Sequence, residues 1–152
     1  MATQPLLIIR TARHRYAIRR DDLFDARLVP ELAVLKAGGL FDQACLGVEL
    51  GPLLDPADQS AQHRRHALIV TMRRRYVALL VDQIEQFLEA ATATPLPALL
   101  RARLQHSWAI GALTFEDDLI IQLDLRAIAR SALLGSQNNT ERKGNTIYVT
   151  DS

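Results

Sequence analysis

Cysteine is nearly absent: Cys45 is the only one in 152 residues. No intrachain disulfide can form, and no Cys-x-x-Cys metal or redox motif exists. A single thiol in the apolar setting of "ACLGVEL" reads as small core filler rather than as a nucleophile. Lysine is almost as scarce, with Lys36 and Lys143 alone, so arginine carries the basic charge. Neither sign of charge dominates: 18 basic residues face 17 acidic ones, a net charge of +1. That balance argues against a polyanion as the main partner. Aromatic residues make up 5%, which leaves few rings for stacking bases. The apolar stretch Pro5 to Ile9 is too short for a signal-peptide core, and no segment approaches membrane-spanning length. The chain therefore reads as cytoplasmic, with no direct membrane insertion.

Signatures of chemistry are missing as well. There is no G-x-S-x-G, no P-loop and no G-x-G-x-x-G. His63 and His66 are three apart but have no third ligand nearby in the sequence. Asp21-Asp22 and Asp117-Asp118 are adjacent pairs. Neighbours on a strand point to opposite faces, so turn and cap roles suit them better than acid–base chemistry. Nothing in the sequence brings His14 to Cys45. No catalytic residue, cofactor or metal site is expected, and the chain is not expected to be an enzyme.

What is present is apolar residue, at 49%, enough for the core of one domain. "LLIIRTARHRYAI" (Leu6 to Ile18) predicts a hairpin around a basic centre. Asp21 and Asp22 suggest a helical turn whose extension Pro30 limits. A short helix is expected over Glu31 to Ala37, then a strand over Cys45 to Leu50 and a turn at Gly51-Pro52. Asp55 to His66 is polar and aperiodic, the mark of a connecting loop. Ala67 to Met72 and Tyr76 to Val81 are near-continuous apolar runs of strand length, which suits strands covered on both faces. "QIEQFLEA" is ambiguous between helix and strand. Pro97 sits well at the start of a helix. "SWAIGALTF" and "DLIIQLDL" predict a last hairpin around Glu116-Asp117-Asp118. "LRAIARSALLG" predicts an amphipathic helix closed by Gly135, followed by a polar tail over 137–152.

The chain also resembles itself. At a shift of 60, Ile9, Thr11, Arg13, Arg15, Tyr16 and Asp22 fall on Ile69, Thr71, Arg73, Arg75, Tyr76 and Asp82. Further on, "LGVELGPLL" resembles "IQLDLRAIA", with Glu49-Leu50 against Asp124-Leu125. Each half reads hairpin, connector, strand, acidic-Leu turn, short helix, which implies two similar subdomains. The arginines Arg13, Arg15 and Arg73 to Arg75 then belong to two hairpin tips. The bland reading is that they keep those tips solvated and the register fixed. The sharper one is a small β-barrel that binds nucleic acid through basic tips.

"ALIVTMRRRYVALLVDQIEQFL" resembles the signature of the CheW-like domain of bacterial chemotaxis adaptors: an apolar strand, a polar turn, a second strand ending Leu80-Val81-Asp82, then Ile84. "TPLPALL", "IGALTFEDDLIIQLDLRAIA" and "RYAIRRDDLFDA" match further family segments in order, so the resemblance spans about residues 5–135. It implies a mainly β fold with short helices, built as two intertwined five-stranded SH3-like barrels. One domain over 1–136 is expected, its subdomains roughly 1–65 and 66–136. The implied function is a non-catalytic scaffold in chemotaxis or motility signalling. Its partners would be the CheA-like regulatory domain of a histidine kinase and the cytoplasmic tip of a chemoreceptor. Matched by motif, Leu23, Asp25 and Ala67 would lie on the receptor side, while the resemblance identifies no kinase-side residue. An apolar and acidic groove suits a helix end. The stretch "KAGGLFDQACLGVEL" departs from the family: Glu49 replaces an aspartate, Leu46 a proline, and the usual receptor-facing arginine is missing.

Overall fold

The computed structural model describes residues 3–29, 45–60, 65–73, 75–97 and 108–142, with side chains as far as Gly135. The first hairpin is β1 (Gln4–Arg10) and β2 (Arg15–Arg19), with Ile8 opposite Ala17. A 3-10 turn at Arg20–Asp22 leads to β3 (Asp25–Val29). Here the expected helical turn is short and a strand follows. Asp25, Arg27 and Val29 alternate with the more exposed Ala26 and Leu28, the period of a strand. The expected helix over Glu31 to Ala37 lies outside the described residues. Next come β4 (Cys45–Glu49), the short helix α1 (Leu50–Leu54) and the second hairpin, β5 (Arg65–Met72) with β6 (Arg75–Val81). The ambiguous "QIEQFLEA" is strand β7 (Gln83–Ala91), and Thr94–Pro95 form the brief β8. The helix expected after Pro97 falls on residues outside the described ones. The last hairpin, β9 (Ala109–Phe115) and β10 (Asp118–Leu123), precedes helix α2 (Leu125–Arg142).

The strands form two sheets, ordered β7-β1-β2-β10-β9-β8 and β3-β5-β6-β4. In the first sheet β7 and β8 are parts of one bent segment, so that sheet closes on itself as a five-stranded barrel. The second has four strands among the described residues. The halves of the chain are interleaved. β3 and β4 follow the first hairpin in sequence but pair with the second, β5–β6. β7 and β10 come after the second hairpin but pair with the first.

Strand alternation divides the apolar residues among three cores. Leu6, Ile8 and Ala17 face the interior of the first barrel, with Leu113 and Ile120. Ala67, Ile69, Ala78 and Leu80 face the second, with Cys45 and Val29. The alternate residues Leu7, Ile9, Ile18, Leu68, Val70, Val77 and Leu79 meet in a shared core beneath Leu125, Ile128 and Ala129 of α2. Both faces of each hairpin are thus buried, which explains runs with no polar interruption.

The repeat is real, but its register differs from the sequence match. Ile8 pairs with Ala17 and Gln86, and Ile69 pairs with Ala78 and Asp25. Equivalent positions therefore lie 61 apart: Ile8 with Ile69, Ala17 with Ala78, Asp25 with Gln86. The identities at a shift of 60 are out of phase by one, which on a strand means the opposite face. A second correction concerns Gly135. The helix runs through it to Arg142. Gly135 does not adopt the left-handed conformation of a helix stop, and its missing side chain leaves open space. Glycine weakens a helix by about 1 kcal/mol but does not end it without that geometry.

Candidate protein-interaction surfaces

The three residues that the resemblance puts on the receptor side have different settings. Leu23 packs into the shared core, and Ala67 is fully buried in the second barrel, opposite Arg27. Of the three, Asp25 alone presents its side chain, at the start of β3, which is an edge strand among the described residues. It accepts from Arg27 Nε at 2.8 Å and from the Ala26 amide at 2.8 Å, and these bonds hold its carboxyl below the usual carboxylate range. Phe24 (52% exposed), just before it, and Leu28 (55% exposed), on the alternate side of the strand, present apolar surface. Phe24 also packs on Tyr76, ring centroids 5.4 Å apart. Neither is legible in the sequence, since two single apolar residues give no pattern. The family-departing stretch Lys36 to Ala44 lies outside the described residues.

The signature carboxylates have a structural use. Glu49 Oε1 accepts from Arg65 Nη1 at 2.7 Å, and Asp82 Oδ1 lies 3.3 Å from Arg65 Nε, an ion pair without hydrogen-bond geometry. Arg65 and Asp82 are largely buried. One guanidinium thus ties together the ends of β4, β5 and β6. Arg65 falls in the stretch whose polar, aperiodic sequence marks a connecting loop, and it begins β5 instead.

The first hairpin tip is docked on the connector. Thr11 donates through Oγ1 to Asp58 Oδ2, and the Arg13 amide donates to Asp58 Oδ1 at 2.9 Å. Asp58 is buried. His14 Nε2 sits 3.0 Å from Asp55 Oδ2, a bond that lowers the Asp55 pKa. His14 therefore meets Asp55 and not Cys45, whose thiol is buried and pushed up by that burial. Asp55 to Ser60 begins as a clamp, although its polar sequence reads as a plain loop.

Arg15 overturns the expectation of a solvated tip. It donates to Glu85 Oε1 at 2.8 Å and Asp118 Oδ2 at 3.0 Å, and its guanidinium lies over the Phe115 ring. These contacts close one end of the first barrel. Arg73 and Arg75 do stay exposed, while Arg74 lies outside the described residues. No group of three or more His, Cys, Asp or Glu residues able to hold a metal occurs among the described residues. None of the helices described is long and apolar enough to cross a membrane.

Two interleaved SH3-like β subdomains with a shared core and short helices define the CheW-like fold. The chain is similar to the crystal structure of the scaffolding protein TtCheW from Thermoanaerobacter tengcongensis, with a TM-score of 0.61. The match covers 82% of this chain and 86% of that one at 12% sequence identity. No protein-family model matches the sequence, and no curated protein does.

Proposed function

We propose that this chain is a non-catalytic, cytoplasmic scaffold of the CheW-like kind, coupling a histidine kinase to chemoreceptors or a related signalling array. The observation that carries this reading is the double-barrel fold it shares, over most of both chains, with a scaffolding protein. The polar clusters support it. Arg65 with Glu49 and Asp82 joins strand ends, and buried Asp58 holds the first hairpin tip through the Thr11 hydroxyl and the Arg13 amide, both packing roles. The β3 edge is the receptor-side surface, with Asp25, Phe24 and Leu28 outermost and Leu23 and Ala67 supporting it from within. Interfaces of this kind are modest and reversible.

The direct test titrates the full chain against the regulatory domain of a CheA-like histidine kinase from the same organism, and separately against a receptor tip fragment. Saturable binding to the kinase domain at ~10 μM supports the scaffold reading, within the range of transient complexes. No retention at that concentration counts against it. Asp25→Arg should weaken the receptor fragment and spare the kinase domain. The nucleic-acid reading loses Arg15, which is already paired with acids. A gel shift showing no retention even at low salt removes it.

A further inference from the structure

The two hairpin tips share a fold and differ in charge balance. At the first tip, Arg15 is matched by Glu85 and Asp118, and His14 by Asp55. At the second, Arg73 and Arg75 are exposed and have no acidic partner among the described residues. Arg73 also holds φ at 58°, a left-handed conformation that turns normally give to glycine or asparagine.

Helix α2 brings more basic charge to the same end. Arg126, in its first turn, reaches the Thr71 carbonyl at 3.5 Å, two residues from Arg73. Arg130 follows one turn later on the same exposed side, and neither forms an ion pair among the described residues. Arg75 pairs with Met72, whose side chain enters the shared core that α2 covers. Arg75 therefore lies on the α2 side of its sheet. The acids nearby are withdrawn. Asp124 Oδ1 accepts from the Ala127 amide at 3.1 Å as the helix cap. Asp22 is half-buried, and that burial is the main cause of its raised pKa, which Arg19 and Arg126 oppose and Asp124 and the exposed Asp21 reinforce.

We infer that Arg73, Arg75, Arg126 and Arg130 form a docking surface for an acidic segment of a partner protein. Complementary charge selects the partner class, and the guanidiniums offer paired donors to carboxylates. A short acidic segment fits better than a polyanion. The patch is only four arginines wide, the chain as a whole is at +1, and Asp22 and Asp124 stand beside it. The inference rests on the basic patch and not on the kinase–receptor reading, and its test uses neither partner.

The experiment measures fluorescence anisotropy of a labelled glutamate-rich helical peptide titrated with the full chain at low and physiological salt. Single-stranded DNA and anionic phosphatidylglycerol vesicles serve as parallel probes. Saturable peptide binding is expected, about tenfold weaker in Arg126→Glu/Arg130→Glu and in Arg73→Ser/Arg75→Ser, and unchanged in Arg13→Ser. Thermal melting of each variant confirms that it is folded, and the two pairs sit on different elements, so loss of one fold leaves the other as a test. Equal binding by the folded variants overturns the inference. So does tighter binding of DNA or vesicles than of the peptide.

Discussion

Arg15 and Tyr76 occupy the same place in the two barrels, 61 positions apart in the common register. Their partners correspond as well: Arg15 meets Glu85 at 2.8 Å, and Tyr76 meets Phe24 with ring centroids 5.4 Å apart. One barrel end is closed by charge and the other by an aromatic pair. The charged closure is the more sensitive to solvent and salt. Arg15→Leu and Glu85→Leu should each lower the denaturation midpoint, and the double variant should fall by less than the two losses combined. The coupling should shrink as salt rises. Strict additivity in a double-mutant cycle would show that the pair contributes nothing.

Arg65 is the harder residue to replace. It holds Glu49 and the largely buried Asp82, and truncation leaves the Asp82 carboxylate without its cation. Arg65→Met should cost about 2–4 kcal/mol in urea unfolding, discounted for the exposure of Glu49. Adding Asp82→Asn should recover part of that loss. If the double variant is no more stable than Arg65→Met, the pairing is not what the position provides.

Much of this fold was legible because the hairpin strands are buried on both faces. "ALIVTM" and "YVALLV" have strand length, β-forming residues and no polar interruption, which suits covered strands, and "LLII" opens a recognisable hairpin. The interleaving came from the family resemblance, since a strand's own residues do not say which sheet it joins. The repeat was visible but slipped by one, because arginine and tyrosine matches near the tips outweighed the quieter agreement of Ile8 with Ile69 and Ala17 with Ala78. The Asp58 clamp and the Arg65 junction were not legible. Both join residues far apart in sequence, and isolated polar residues carry no period. The same limit applies to the candidate surface. Asp25 could be named by motif, whereas the burial of Leu23 and Ala67 and the exposure of Phe24 depend on packing.

The clamp on the first hairpin can be tested from both sides. A Cβ on Gly51 would stand 2.6 Å from the Asp58 carbonyl oxygen, too close without backbone movement. Gly51→Ala should therefore destabilise by about 1–3 kcal/mol, even though alanine favours helix α1. Asp58→Ala should cost about 1–3 kcal/mol by leaving the Arg13 amide without its acceptor and the Thr11 hydroxyl with only the His14 carbonyl at 3.2 Å. Amide hydrogen exchange at Arg13 should rise in both variants. Unchanged protection there would mean that the clamp does not hold the tip.

Gly135 gives a prediction of the opposite sign. It lies inside α2, with nothing within 4 Å of an added Cβ. Gly135→Ala should raise stability by about 0.5–1 kcal/mol and increase helical circular dichroism. A loss of stability would indicate that glycine is needed there for its backbone freedom.

The last prediction concerns alkaline pH. Burial first, then the Asp58 and Asp55 carboxylates, push the Tyr16 phenol up from 10.0 to about 12. The folded state keeps this proton while the unfolded chain releases it, so the contribution is complete below pH 10. It is lost as the pH climbs through about 12. Stability from urea unfolding should fall across that interval, and Tyr16→Phe, which has no phenol to ionise, should flatten the fall. In the native protein Tyr16 should give its tyrosinate absorbance late, and that step should vanish in Tyr16→Phe. Equal slopes in the two proteins between pH 10 and 12 would place the alkaline sensitivity elsewhere in the chain.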